Sequence, residues 1–326
     1  MVRTVPPPAN LVDDSQLECD VIVACVTYNS AAVIERQLEA LPAALDNVQS
    51  CRVVIVDNDS QDGTAELIRS RAPWVTVLEA GFNAGYAGGI NLAMEQGRGR
   101  RGVYILNPDA IPSPGSVSRL ARAVEDCPEV GIAVPVVRGA HRQLKFSLRR
   151  EPTILRAAGE AVLGGHRAAR FAVLGDMIRD PAFYRDGAVA DWATGAAMFV
   201  SRRAVDAVGG WDERFFLYSE ETDFALRSRD AGYRLQLVMD AEVAHPGGEM
   251  SKDPYLWSLV AANRTRLYRK RHGRVASYLF WSIVLINEGL RGMLGRETHR
   301  AAVRALLRMG PNPSSDLVTP SLIGQP

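Results

Sequence analysis

A chain of 326 residues, 47% hydrophobic and 23% charged, has a globular composition and room for one large or two ordinary domains. Its formal net charge of +1 hides an asymmetry: residues 263–308 hold eleven Lys or Arg against two acids, so the rest of the chain is net acidic. A basic C-terminal arm on an acidic body suggests an anionic surface as partner, and no nucleic acid is expected. The four cysteines, Cys19, Cys25, Cys51 and Cys127, form no Cys-x-x-Cys pair, and the N-terminus lacks a signal-peptide pattern. Both point to a reducing cytosol.

Residues 1–19 read as a disordered or surface arm. Residues 20–27 (DVIVACVT) are an apolar run of strand length, Tyr28-Asn29-Ser30 a turn, and residues 31–45 carry the 3.6-residue spacing of a helix. The unit repeats as strand 51–56 (CRVVIV), polar turn Asp57-Asn58-Asp59-Ser60, and helix 62–71. A third strand, 74–78, precedes the glycine- and asparagine-rich GFNAGYAGGIN of 81–91, which leads into a short helix. A fourth, 103–106, ends in Asn107-Pro108-Asp109.

Alternating buried strands and helices predict an α/β fold with a mostly parallel sheet flanked by helices. Ligands in such sheets sit beyond the carboxyl ends of the strands. Thr27, Tyr28, Asn29, Asp57, Asn58, Asn83 and Asp109 all follow strands and should share one crevice. Residues 139–191 are less periodic and basic early on (Arg138, Arg142, Lys145, Arg149, Arg150), and read as an inserted acceptor-side or lid region. A strand at 196–200, a helix at 201–208 and a last strand at 233–239 follow, leading to His245-Pro246-Gly247-Gly248. Helices are expected beyond Pro254. The apolar run 275–286 is about a dozen residues, too short for a bilayer that takes about 20.

Residues 209–233 place Trp211, Phe215, Phe216, Leu217 and Tyr218 directly before the acids Glu220, Glu221 and Asp223. The acids open a helix whose macrodipole favours negative charge there. Partial desolvation beside the aromatics would raise a carboxyl pKa towards the working range of a base. Asp109 offers a hard oxygen suited to Mg²⁺ or Mn²⁺ bound mainly through a nucleotide's phosphates, and His245 adds an imidazole compatible with Mn²⁺. Gly85, Gly88 and Gly89 could let backbone approach a ligand, yet GYAGG fits neither the G-x-G-x-x-G nor the Walker A spacing. A dinucleotide oxidoreductase or P-loop enzyme is disfavoured.

The set VTYNS, VDNDSQDGT, GFNAGYAGGIN, ILNPDA, WATGAAMFVSRRAVDAVGGWDERFFLYSEETDFALRSRDAGY and AHPGG resembles, in that order over roughly residues 20–250, the family 2 glycosyltransferases of GT-A fold, Rossmann-like, in their rhamnosyltransferase-like branch. The resemblance implies an inverting, metal-dependent transfer of a sugar from a nucleotide diphosphate to an acceptor hydroxyl, in cell-surface polysaccharide or glycolipid synthesis. Thr27 and Asp57 would hold the base, with Tyr28, Asn29 and Asn58 beside them. The segment from Asn83 through Gly88 and Gly89 to Asn91 would hold ribose and phosphates, and Asn107-Pro108-Asp109 stands where the family has its Asp-x-Asp metal motif. Asp109 and His245 would then bind the cation, Trp192, Gly195 and Glu220 the sugar or acceptor, and Glu221 would be the general base. Asn107 replaces an acid, as is usual in this branch, and Glu221 stands where the family usually has aspartate.

The implied organisation is an arm over 1–19, a GT-A domain over 20–250 with 139–191 inserted, and a helical, basic extension over 251–326. The donor favoured is dTDP-rhamnose, the acceptor a saccharide or lipid-linked hydroxyl. The location is cytoplasmic, with possible contact at the inner membrane face through residues 264–274 and the apolar run behind them. The alternatives are a UDP-sugar-using transferase, a sugar nucleotidyltransferase, whose glycine-rich basic loop after the first strand is here TYNS, and a non-catalytic carbohydrate- or lipid-binding relic.

Overall fold

The computed structural model describes residues 4–12, 16–247 and 252–310. Gly248, part of the arm and residues 311–326 of the expected extension lie outside them. The strands are β1 (Glu18–Thr27), β2 (Cys51–Asp57), β3 (Thr76–Glu79), β4 (Arg98–Leu106), β5 (Ile111–Pro112), β6 (Val130–Arg138), β7 (Leu148–Arg149), β8 (Val189–Ala190), β9 (Trp192–Ala193), β10 (Ala197–Ser201) and β11 (Arg234–Ala244). The helices are α1 (Ala31–Ala44), α2 (Thr64–Arg71), α3 (Gly85–Glu95), α4 (Ser116–Asp126), α5 (Ile154–Leu163), α6 (Gly165–Ala168), α7 (Arg202–Val208), α8 (Glu220–Asp230), α9 (Pro254–Arg271), α10 (Arg274–Met293) and α11 (Glu297–Met309).

One sheet runs β3-β2-β1-β4-β10-β6-β11-β5, with β8 on β11. β1 pairs in parallel with β2, bringing Thr27 opposite Asp57, and with β4, bringing Cys25 opposite Leu106. β10 runs antiparallel to both β4 and β6, and β11 is parallel to β6. The carboxyl ends of β1, β2, β3, β4, β6 and β11 therefore share one edge. Residues after those strands gather there, as does the turn that enters β10.

Alternation along β1 divides the core. Val21, Val23 and Cys25 pack with α1 and α4 residues such as Leu38 and Leu120, whereas Ile22, Ala24 and Val26 pack with Ile90 of α3 and Phe224 of α8. Burial on both faces is why these strands read as unbroken apolar runs.

Five expectations need correction. The helix α3 begins inside GFNAGYAGGIN rather than after it. β4 starts at Arg98 and β11 continues to Ala244. Residues 4–12 pack on the body: Val5 is buried, its N–H bonds Arg71, and Leu11 bridges to Cys51. Finally, residues 264–274 are not a free basic arm. Arg264 is paired with Glu160 at 2.7 Å, Lys270 with Asp223 at 2.6 Å and Asp212 at 2.7 Å, and Arg271 with Asp230 at 2.8 Å and Glu151 at 3.1 Å. These cations fasten α9 to the acidic body, although Arg274 stays exposed.

Candidate active site

At the carboxyl ends of β1 and β2, the parallel register sets Thr27 beside Asp57. The Thr27 hydroxyl donates to Asp57 Oδ1 at 2.9 Å, and Ser60 donates its N–H and hydroxyl to the same carboxylate at 2.9 and 2.6 Å. Asn58 N–H donates to Thr27 O at 2.8 Å, and its carboxamide donates to Gly85 O at 2.8 Å. Asn29, at φ 49°, accepts from Gln61 N–H at 2.8 Å and gives its own N–H to Ser60 Oγ at 2.8 Å. Asn83 accepts from Gly85 N–H at 3.0 Å, and Tyr28 is exposed beside these turns. Thr27, Asn29, Asp57, Asn58 and Asn83 thus form one hydrogen-bonded cluster.

The glycines serve packing. A Cβ on Gly89 would lie 2.6 Å from Val26 Cγ1, and one on Gly85, at φ +74°, would lie 2.4 Å from Phe216 O. Gly88 faces Ala84 and Glu213. Their missing side chains let α3 settle on β1 and on the 211–216 segment. Asn91 is equally committed: it accepts from Trp211 N–H at 2.9 Å and donates to Trp211 O and Glu213 at 3.0 and 2.8 Å. Gly85 and Gly89 thus have a helix-docking role, and Asn91 ties α3 to Trp211 and Glu213.

After β4 and β11, Asp109 Oδ1 and His245 Nε2 stand 3.2 Å apart, both half-buried. Burial opposes ionisation of Asp109, but the hydrogen bond and charge of His245 outweigh it and hold the carboxyl below its ordinary value. Adjacent ligands on an ion with bonds of about 2.1 Å lie roughly 3 Å apart, so the pair fits one divalent cation. Among the described residues no cluster of three such ligands exists. Lys145 donates to Pro246 O beside His245. The backbone of Asn107 is held by Ala196 O and by the Gln37 carboxamide.

The acids sit behind an unusual loop. Phe216, Tyr218 and Ser219 have φ of 58°, 69° and 75°, conformations that cost L-residues of order 1–3 kcal/mol each. Asn263 of α9 holds the loop by donating to Phe215 O and Leu217 O at 2.5 and 2.8 Å, while Tyr86 N–H bonds Phe216 O at 2.6 Å. Ser219 then starts α8 at Glu220, which is buried, and Glu221, which is half-buried. Glu220 Oε2, Glu221 Oε2 and the Tyr86 hydroxyl are buried with no hydrogen-bond partner among the described residues.

Burial, then the charge of Glu221, raises the Glu220 carboxyl well above its ordinary value. Burial pushes Glu221 up to about 7 against the lowering pull of backbone N–H groups and of Arg149. The Tyr86 hydroxyl is raised well above its ordinary value, by burial first and then by the charges of Cys25, Glu220, Glu221 and Asp109. Gly195 lies against Glu221: a Cβ there would be 3.7 Å from Glu221 Cγ. Trp192 gives its indole N–H to Arg150 O at 2.9 Å and stacks under Arg149, 5.9 Å from the ring centroid.

Sequence reasoning passed over Tyr86, Arg149, Lys145 and Asn263 as site components. Tyr86 was visible inside GYAGG, and Lys145 and Arg149 belong to the basic stretch already noted. Asn263 gives no local signal, since its partners are more than forty residues away.

The family profile "Glycosyl transferase family 2" matches residues 22–177, and "Glycosyl transferase family group 2" matches residues 102–286. The N-acetylglucosaminyl-diphospho-decaprenol L-rhamnosyltransferase of Mycobacterium tuberculosis is 31% identical over 88% of this chain and 94% of its own length. The chain is a family 2 glycosyltransferase. Among solved structures this glycosyltransferase is similar to the mannosyltransferase PcManGT of Pyrobaculum calidifontis, in complex with GDP-Man and Mn²⁺, with TM-score 0.53, 18% identity, and coverage of 95% of this chain and 84% of that one. It is also similar to S. aureus TarS 1–349 in complex with UDP-GlcNAc, with TM-score 0.52, 14% identity, and coverage of 89% and 80%. The family 2 glycosyltransferase has the GT-A fold.

Proposed function

We propose that this glycosyltransferase moves a sugar, rhamnose from dTDP-rhamnose first, with inversion, onto a hydroxyl of a saccharide carried by a lipid diphosphate at the inner face of the membrane. The observation that carries this reading is the Asp109–His245 pair, 3.2 Å apart after β4 and β11, with Glu221 against Gly195 in the turn that enters β10 at the same edge. Support for donor and acceptor class comes from the rhamnosyltransferase relative, whose name contains a diphospho-decaprenol.

Glu221 takes the acceptor proton as that oxygen attacks the anomeric carbon opposite the nucleotide. The bond from that carbon to the diphosphate breaks, and its electron pair stays on the phosphate oxygen. Asp109 and His245 would hold a Mg²⁺ or Mn²⁺ ion, which would supply Lewis-acid charge for the leaving diphosphate. Thr27, Asp57 and Asn58 hold the base, with Tyr28, Asn29 and Asn83 around it. Lys145 and Arg149 add positive charge near the diphosphate. Trp192, Gly195 and neutral Glu220 shape the acceptor side. Residues 20–250 act as the catalytic body, with α9 as an integral support.

The test combines thermal shifts against dTDP, UDP and GDP, with and without Mg²⁺ or Mn²⁺, and turnover on dTDP-rhamnose and UDP-sugars. The expected result is a metal-dependent shift strongest with dTDP, weakened in Asp109→Ala. A metal-dependent shift of wild-type size retained in Asp109→Ala would remove the cation assignment, and a stronger response to UDP would move the donor.

A further inference from the structure

The helices α5 and α10 pack against each other, and their outward faces are apolar. On α10 the exposed side chains Val275 (86% exposed), Leu279, Ile286, Leu290 and Met293 (76%) recur at spacings of three, four and seven, which puts them along one stripe. Tyr278 is the only other exposed residue between them. The charged residues of this stretch turn away: Glu288 is buried on Trp257 and His299, and Arg291 donates to Glu160 O at 3.2 Å. On α5, Leu155 and Val162 (82%) are exposed, and Phe171 and Val173 continue beyond α6. Solvent-exposed apolar patches on this scale mark interaction surfaces.

The surroundings of this face indicate its occupant. Arg274 is exposed at one end of α10, Arg296, Arg300 and Arg304 beyond the other, and Arg167 and Arg170 beside α5. Glu297 is the one exposed acid on α5, α6, α10 and α11 among the described residues. Between α10 and α11 lies an open groove lined by Ile286, Leu290, Met293 and Val303 together with Arg300, whose Nε donates to Gly292 O at 2.9 Å. No helix among the described residues is long and apolar enough to cross a membrane. A helix of about 30 Å with one apolar face and a basic border suits the headgroup–acyl boundary instead. A second copy docked on the same face by a twofold would oppose arginine to arginine, an unfavourable meeting.

We infer that the α5–α10 face, and not the paired cations of α9, seats the protein on an anionic bilayer. Leu155 follows Arg149 by six residues, no more than about 20 Å of chain. The seated face thus lies within reach of the acceptor side of the site. The inference uses no donor or acceptor assignment and stands or falls separately from the proposed reaction.

The test is cosedimentation of the full chain with vesicles of phosphatidylcholine alone and of phosphatidylcholine with about one third phosphatidylglycerol. Wild type is expected to bind the anionic vesicles preferentially and to release as salt rises. Ile286→Glu with Leu290→Glu, and separately Arg300→Glu with Arg304→Glu, should each lower binding by about tenfold or more. Both sites are exposed, and an unchanged melting temperature shows that the variants fold. Failure of wild type to sediment with anionic vesicles overturns the inference. Equal binding by the folded variants does so too, as does a wild-type dimer that the apolar substitutions split without any vesicle binding.

Discussion

The carboxamide of Asn263 donates to the carbonyl oxygen of Leu217 at 2.8 Å, and to that of Phe215 at 2.5 Å, so a helix beyond the glycosyltransferase body holds the loop that delivers Glu220 and Glu221. The loop needs holding, because Phe216, Tyr218 and Ser219 sit at positive φ and would relax without an external constraint. The C-terminal helices therefore contribute to the candidate site through α9 itself.

Asn263→Ala should leave two carbonyl oxygens, one buried and one partly buried, short of their donor, at about 1–3 kcal/mol. Turnover should fall further than nucleotide affinity, since Thr27 and Asp57 are bonded to each other and to Ser60, independently of the loop. Thermal unfolding and steady-state kinetics check this. Wild-type melting and wild-type turnover together would show that the loop holds itself.

Glu220 carries a pH prediction. Burial and the charge of Glu221 raise its carboxyl well above the ordinary 4.5, so the fold favours the protonated form. Its contribution to stability is full below the unfolded value and is lost as pH rises through the folded one, at no more than about 1.4 kcal/mol per pH unit. Glu220→Gln should accordingly gain stability over wild type at pH about 8 and much less at pH about 5, with turnover largely retained. Melting curves at the two pH values decide it, and a variant that is less stable at the higher pH would reverse the assignment of charge.

Gly89→Ala tests the helix-docking role of the glycine cluster. The new methyl would stand 2.6 and 2.7 Å from the two γ-carbons of Val26, and forced overpacking of this kind costs about 1–3 kcal/mol. The melting temperature should drop while nucleotide still produces its normal shift in the folded variant. Normal stability with lost nucleotide binding would return Gly89 to contact with the ligand.

Strands β1 and β2 were legible because burial on both faces makes them continuous apolar runs, DVIVACVT and CRVVIV. The element pair α4 and β6 was not read. Pro135 interrupts β6, and at that point the register with β11 jumps from Val238 to Glu242, residues 239–241 looping out where proline lacks a ladder donor. Glycine's poor helix propensity concealed the start of α3, which contacts with Val26 and Phe216 stabilise. Sequence order brought Asp109 and His245 to strand ends, and the shared edge of β4 and β11 brings them within 3.2 Å. The basic charge of 264–274 was countable, whereas its partners Glu160, Asp223 and Asp230 could be known only from the packing.

The most direct test of the account is turnover of Glu221→Gln against wild type between about pH 5 and pH 9, with donor affinity measured alongside. Burial pushes Glu221 up to about 7, and the carboxylate is the form that accepts a proton. Wild-type turnover should therefore fall with acid below that value, about tenfold per pH unit once most of the carboxyl is protonated. Glu221→Gln should lose about 10² to 10⁴ in turnover with donor affinity nearly unchanged, and Glu221→Asp should keep measurable activity. Near-normal turnover in Glu221→Gln beside an inactive Glu220→Gln would contradict the account and move the base to the neighbouring residue.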